Sequence, residues 1–219
     1  ANLEGDSVTI LLGDGSGGFT RFSDFLFVYG PWGIAVGDLN GDGKQDIVTT
    51  NSNSDNVSIR IGNGDGMFIS PPSAEITVGP SPLGIQLADV NNDGTPDILT
   101  ANSSRSAQGS VSVRLGNGAG GFSSPHIPEL AIGTEPYDLV ADDFNGDGRI
   151  DIAVASPFFD ERIFIRFGYG DGWFYELFNG SVVARSSRIT SGDLNGDGYP
   201  DIAGASGVQN SISLRDSDA

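Results

Sequence analysis

The sequence predicts an all-β chain of four-stranded antiparallel blades set side by side as a β-propeller. Three observations lead there. A nine-residue acidic string recurs as "DLNGDGKQD" (38–46), "DVNNDGTPD" (89–97), "DFNGDGRID" (143–151) and "DLNGDGYPD" (193–201), about every 50 residues. The apolar runs between copies are about five residues long and are punctuated by Gly, Asn, Ser and Pro. No stretch carries a 3.6-residue apolar stripe over three turns. Residues 1–219 therefore read as a single propeller domain, or a fragment of one, holding four repeats.

Within one repeat, "GIAVGD" leads into the acidic loop and "DIVTT" leads out of it. "VSIRI" alternates apolar and polar residues as a half-buried strand does, and "AEITVG" closes the unit. A lone sheet of four short strands has two faces and little core, so side-by-side packing is favoured over separate modules. A second string supports this period: "VTILLGDGSGGF" (8–19), "VSIRIGNGDGMF" (57–68), "VSVRLGNGAGGF" (111–122) and "IFIRFGYGDGWF" (163–174). Its glycines read as a hairpin, since neither a following helix nor a phosphate-binding Lys is in place. Phe19, Phe68, Phe122 and Phe174 are then expected as plugs between blades. Arg60, Arg114, Arg166 and Arg215 recur at one strand position and are expected to serve as structural partners for carboxylates.

Composition narrows the function. The net charge is −18, against nucleic acid as a partner. There is no Cys, which removes disulfides and thiolate metal sites. No segment reaches the roughly 18 apolar residues of a membrane span. The N-terminus shows neither a basic nor an apolar leader region. Each acidic loop holds three of the chain's 29 carboxylates within nine residues, a concentration that points to cation binding.

In the first loop Asp38, Asn40 and Asp42 alternate, Gly43 permits the sharp bend, and Asp46 closes the string. Curling this way aims side-chain oxygens from the first, third, fifth and ninth places at one centre, with the seventh-place carbonyl completing the set. An all-oxygen, flexible ring suits Ca²⁺ better than Mg²⁺. The start resembles an EF-hand loop. The twelfth place, however, holds Thr49, Thr100, Val154 or Gly204 instead of Glu, and a strand follows instead of a helix. The competing reading is an Asp/Asn/Gly turn whose side chains cap their own backbone.

The unit "GDLNGDGKQDIVTTNSNSDNVSIRIGNGDGMF" resembles the FG-GAP-like, or VCBS, repeat, related to the blades of the integrin α-subunit propeller, over about residues 8 to 216. The resemblance implies a Ca²⁺-carrying propeller with about four ions, one per loop. It places the first site on Asp38, Asn40, Asp42, Lys44 (carbonyl) and Asp46, and the second on Asp89, Asn91, Asp93, Thr95 (carbonyl) and Asp97. It places the third on Asp143, Asn145, Asp147, Arg149 (carbonyl) and Asp151, and the fourth on Asp193, Asn195, Asp197, Tyr199 (carbonyl) and Asp201. It also implies an extracellular or cell-surface setting. The paired Phe-Gly and Gly-Ala-Pro strings of the integrin version are absent, so integrin-type ligand binding does not carry over.

Aromatic residues supply the candidate ligand positions. Trp32, Leu83 and Tyr137 each follow a proline ahead of a loop, and Trp32 and Tyr137 are candidate contacts at one end of the propeller. The third repeat is rich in aromatics, with Phe158, Phe159, Tyr169, Trp173 and Tyr175, of which Trp173 and Tyr175 are the further candidates. His126, the single histidine, reads as an exposed loop residue, and no nucleophile–base set forms around it. No catalysis is expected. Asn56, Asn102 and Asn179 begin N-x-[ST] sequons.

The expected function is an extracellular, calcium-binding, lectin-like or adhesion-type module recognising a glycan or a protein. The alternatives are a non-catalytic accessory domain of a larger secreted polysaccharide-degrading enzyme, or a structural spacer of a surface protein. The third-strand string opens the chain at Val8 and returns at Ile212, so one strand is redundant in a closed four-bladed ring. A larger ring is expected, completed by further repeats or by a second copy in a homodimer.

Overall fold

The computed structural model describes residues 1–219 except 27–28, 105–107, 159, 176–180, 184, 207–210 and 216–219. Phe159, Asn179 and the side chain of Arg215 are outside the described residues. After a 3-10 turn at Leu3–Gly5 comes a hairpin, β1 (Ser7–Gly13) and β2 (Phe19–Leu26). The first full blade holds β3 (Pro31–Gly37), β4 (Asp46–Asn51), β5 (Asn56–Gly62) and an outer strand broken into β6 (Phe68–Ile69) and β7 (Glu75–Thr77). The second repeats it with β8 (Pro82–Ala88), β9 (Asp97–Asn102), β10 (Ser110–Gly116), β11 (Phe122–Ser123) and β12 (Glu129–Ala131). The third has β13 (Asp138–Asp142), β14 (Asp151–Ser156), β15 (Arg162–Gly168), β16 (Phe174–Tyr175) and β17 (Ser181–Val183). The last sheet has β18 (Arg188–Gly192), β19 (Asp201–Ser206) and β20 (Ser211–Arg215).

All pairings are antiparallel, and the blades stack in a propeller-like arrangement. The first strands β3, β8, β13 and β18 pack one against the next and form the inner row. Among the described residues no comparable packing joins β18 back to β3, and β1 and β20 lie in separate sheets.

The core lies between blades. One cluster joins Leu39, Val48, Val57 and Ile59 of the first blade to Ile98 of the second, with Ile85, Leu87 and Phe122 packed against it. The next joins Leu99, Val111 and Val113 to Leu139, Ile152 and Val154, with Phe174 against it. A third joins Val140, Ala153 and Ile163 to Ile189 and Ile202. The second strands β4, β9 and β14 are buried along their whole length, β9 and β14 between neighbouring sheets on both faces. Phe122 and Phe174 are thus plugs, as their string predicted. Phe19 is not: its ring is exposed on the two-stranded hairpin, where no blade face covers it.

Close approach at the inner row depends on small residues. A Cβ on Gly33 would sit 2.4 Å from the Leu83 carbonyl oxygen, and the Thr50 hydroxyl donates to that same oxygen at 2.8 Å. Many buried polar groups are paired across strands. Asn102 donates to the Ser110 and Ser112 hydroxyls at 3.0 and 2.8 Å. Its amide nitrogen is therefore committed and inaccessible, and the Asn102 sequon is not a glycan acceptor in the folded chain.

Two of the recurrent arginines pair with carboxylates as expected. Arg60 meets Glu75 at 3.1 Å and Arg114 meets Glu129 at 2.8 Å, while Arg166 donates to the Ile165 carbonyl and lies over the Phe164 ring. Arg114 also donates to the Thr77 carbonyl of the preceding blade at 2.7 and 3.1 Å, and to the Pro128 carbonyl at 3.2 Å. Removing this guanidinium takes the side-chain donors from the part-buried Thr77 and Pro128 carbonyls and leaves Glu129 without its cation. Arg114→Ala is expected to cost about 2–4 kcal/mol in urea unfolding, and Arg114→Lys to recover only part, because an ammonium lacks the fork. A cost within about 0.5 kcal/mol would show that the bridge contributes nothing.

Candidate metal loops and aromatic surface

Each acidic loop joins the inner strand of a blade to the second strand, so the four loops lie at one rim. Their geometry repeats. Asp38 accepts the Gly41 and Asp42 amides on one oxygen, at 2.8 and 3.2 Å, and the Gly43 amide on the other at 2.8 Å. The Asn40 oxygen accepts the Asp42 amide, and Asp42 accepts the Lys44 amide. In the second loop Asp89 accepts the Asp93 and Gly94 amides, Asn91 that of Asp93, and Asp93 that of Thr95. Asp143, Asn145 and Asp147 do the same, the last accepting from Arg149. Asp193, Asn195 and Asp197 follow, the last accepting from Tyr199.

The first, third and fifth places therefore wrap one turn in all four copies, with the expected bend at Gly43, Gly94, Gly148 and Gly198, each at positive φ. As described, the side chains cap their own backbone. Among the described residues no three acidic groups close around a common point.

The ninth place differs from the rest. Asp46 is buried and accepts the Leu39 amide on one oxygen and the Gly62 amide on the other, both at 2.8 Å. Asp97 takes Val90 and Gly116, and Asp151 takes Phe144 and Gly168. Asp201 accepts the Leu194 amide at 2.8 Å. This carboxylate clamps the loop to the end of the third strand. The partner glycines were missed as site residues, although "IRIG", "VRLG" and "IRFG" carry the signal. A Cβ on Gly62, Gly116 or Gly168 would lie 2.1–2.3 Å from the eighth-place carbonyl oxygen.

Electrostatics follow this division. The Lys44 amide, then the Lys44 ammonium and Asn40, hold the Asp42 carboxyl below its usual range. The Thr95 hydroxyl, Asn91 and the Thr95 amide do so for Asp93. Burial pushes Asp97 up to about 6 against the two amides it accepts, and the charges of Asp93 and Asp89 add to the rise. Asp151 is pushed to about 6 by burial, with Asp147 and Asp143 adding. Crowded carboxylates offering only oxygen, each with lone pairs beyond those taken by amides, fit a hard cation such as Ca²⁺. The side chains of the first, third, fifth and ninth places and the seventh-place carbonyl would hold it.

A pH dependence results. Folded pKa values near 6 exceed the roughly 3.9 of an unfolded Asp, so ion-free protein is most stabilised by these groups below pH 4. That contribution is lost as pH rises through about 6. With Ca²⁺, which needs ionised loops, stability should instead increase across the same window. Melting between about pH 4 and 7, with chelator and with Ca²⁺, checks the opposite slopes.

The aromatic candidates split into two groups. Trp32 and Tyr137 meet edge to face with ring centroids 5.9 Å apart. Phe158 lies 5.7 Å from Tyr137, and the Arg188 guanidinium sits 5.3 Å above the Tyr137 ring. Among the described residues, buried Trp32 Nε1 has no acceptor. These residues occupy the starts of inner strands and their neighbouring turns, about 20 Å along the strand from the acidic loops. Trp173 and Tyr175 do not join them. Trp173 stacks on His126 at 5.4 Å and lines a shallow recess with Val113, Ile127 and Leu130, while Tyr175 packs against Tyr169 and Phe167.

The model of the FG-GAP-like repeat matches residues 1–49, 38–100, 101–154 and 143–204. The chain is a member of the FG-GAP-like repeat family. Its repeats are 28% identical to chicken (Gallus gallus) integrin alpha-8, over 85% of this chain and 21% of that protein. They are 26% identical to human cartilage acidic protein 1, over 78% of this chain and 27% of that protein. The FG-GAP chain thus spans about a fifth to a quarter of these relatives. Its fold is similar, with a TM-score of 0.65 and 10% identity, to a functionally unknown protein from Desulfotomaculum acetoxidans DSM 771. That match covers 99% of this chain and 63% of the other.

Proposed function

We propose that this FG-GAP repeat chain is a calcium-stabilised recognition module of a secreted or surface protein, binding a glycan or protein ligand and performing no chemistry itself. The four matching loops support the calcium role, with one ion per loop. The observation that carries the recognition role is the cluster of Trp32, Tyr137, Phe158 and Arg188. It combines aromatic faces, a cation and a buried indole N–H that has no acceptor among the described residues. Aromatic faces suit the apolar faces of sugars and protein side chains alike. Relatives with integrin and cartilage names fit an extracellular setting. His126, stacked on Trp173, supports the non-catalytic reading.

A glycan array and a surface-protein library, both screened with Ca²⁺ present, test this. Binding that drops at least tenfold in Tyr137→Ala, with the fold retained at the assay temperature, is expected. Binding untouched by Tyr137→Ala but lost in Trp173→Ala would move the site to the outer recess. No binding at all would leave the spacer role.

A further inference from the structure

Two glycine-rich hairpins stand between consecutive acidic loops and bond to both. The hairpin at residues 116–122 joins β10 to β11. At its start the Gly116 amide donates to Asp97 of the second loop at 2.8 Å. Near its end the Gly120 amide donates to the Leu39 carbonyl of the first loop at 3.0 Å. The hairpin at residues 168–174 repeats this one blade further on. Its Gly168 amide donates to Asp151 of the third loop at 2.8 Å, and its Gly172 amide to the Val90 carbonyl of the second at 3.1 Å. Van der Waals contact follows the same plan. A Cβ on Gly118 would lie 2.9 Å from Thr95 Cγ2 in the second loop, and one on Gly120 3.7 Å from Asn40 Cβ in the first. A Cβ on Gly170 would lie 2.7 Å from Asn92 Nδ2 in the second loop and 3.3 Å from Arg149 Cδ in the third. The linking groups are out of water: Leu39, Val90, Gly120 and Gly172 are all buried. Leu39 stands between Asp38 and Asn40, its amide donating to Asp46 and its carbonyl accepting from Gly120. Val90 stands between Asp89 and Asn91, its amide donating to Asp97 and its carbonyl accepting from Gly172. The peptides that carry one loop's oxygens are therefore tied to a hairpin whose other end fixes the ninth-place carboxylate of the next loop.

We infer, resting on the calcium reading above, that these hairpins make cation binding positively cooperative along the first, second and third loops. A glycine-rich hairpin loses much backbone entropy when it docks. Ordering Asp38 and Asn40 around a cation fixes the Leu39 peptide, favours the docked hairpin and sets Asp97 in place for the second loop. The entropy of docking is then lost once for two binding events, which is the origin of the coupling. Charge acts in the opposite sense, because a filled loop attracts the next cation less. Packed sheets lie about 10 Å apart, beyond the roughly 8 Å Debye length at physiological salt, so this opposition is largely screened. Screening leaves the buried hydrogen bonds untouched.

A Ca²⁺ titration of residues 1–219 at about 0.15 M salt tests the coupling. Amide NMR signals of Gly43, Gly94 and Gly148 report the three loops one by one, and hydrogen exchange at Gly120 and Gly172 reports docking. Asp93→Ala, which disables the second loop, is expected to weaken binding at the first and third by about fivefold or more. Charge alone predicts the reverse, since the filled loop carries a net −1 and the emptied variant −2. Coupling is reciprocal, so Asp42→Ala should weaken the second loop by the same factor that Asp93→Ala weakens the first. Asn117 belongs to no loop, and its side chain accepts the Ala119 and Gly121 amides within the hairpin at 2.9 and 3.0 Å. Asn117→Ala should speed Gly120 exchange and reduce the coupling of the first and second loops, while that of the second and third persists. Three loops that bind in the wild type, with the first and third unchanged or tightened in Asp93→Ala, would overturn the coupling and leave the calcium reading standing. Coupling that survives faster Gly120 exchange in Asn117→Ala would overturn the hairpin route. No shift at any loop glycine would remove the calcium reading and the coupling together.

Discussion

Removing calcium is expected to lower the unfolding midpoint of this chain by roughly 5–10 °C for each site emptied. An ion at a hundredfold excess over its dissociation constant contributes about 2.7 kcal/mol by mass action. For a chain of this size each kcal/mol moves the midpoint by roughly 2–4 °C. Four loops of one design make the total effect large. Four divalent ions also offset roughly eight of the 18 excess negative charges, which reduces repulsion within the compact state. Calorimetric scans in millimolar Ca²⁺ and in chelator make the comparison. Equal midpoints would mean that the loops are self-capped turns and nothing more, as the amide contacts of Asp38 and its equivalents allow.

The second large effect is expected at the ninth-place carboxylate, and it does not require an ion. Asp97→Ala leaves the Val90 and Gly116 amides buried without acceptors. Each such orphan costs about 1–3 kcal/mol, so a loss of roughly 2–6 kcal/mol is expected in chelator. Asp97→Asn keeps one acceptor oxygen and should lose about half as much. Asp93→Ala makes the opposite case. It is expected to leave the ion-free midpoint nearly unchanged and to remove one step of the calcium dependence. Urea unfolding of the three variants with and without Ca²⁺ separates the clamp from the ring. If Asp97→Ala were silent in chelator, the buried hydrogen bonds at this place would have no net value.

The sequence by itself determined the period, the number of acidic loops and the antiparallel blade, because these rest on local chemistry. "DLNGDGKQD" cannot be a strand interior or a helix, and "VSIRI" alternates as one face of a sheet requires. The positions of Asp38, Asn40 and Asp42 around a single turn were legible for the same reason: their partners are amides two to five residues away. Asp46 was legible only in part. It looked like the last member of a ring, and the structure adds a bond from Gly62, sixteen residues on, which makes it a clamp as well. The pairing of Trp32 with Tyr137, across one intervening repeat, and the separation of both from Trp173 depended on how inner strands pack. Phe19 shows the same limit. It shares its string with Phe122 and Phe174, yet it lies exposed, because burial belongs to the neighbouring blade and not to the residue. Local patterns encode hydrogen bonds and faces, and only the stacking of blades decides which faces meet.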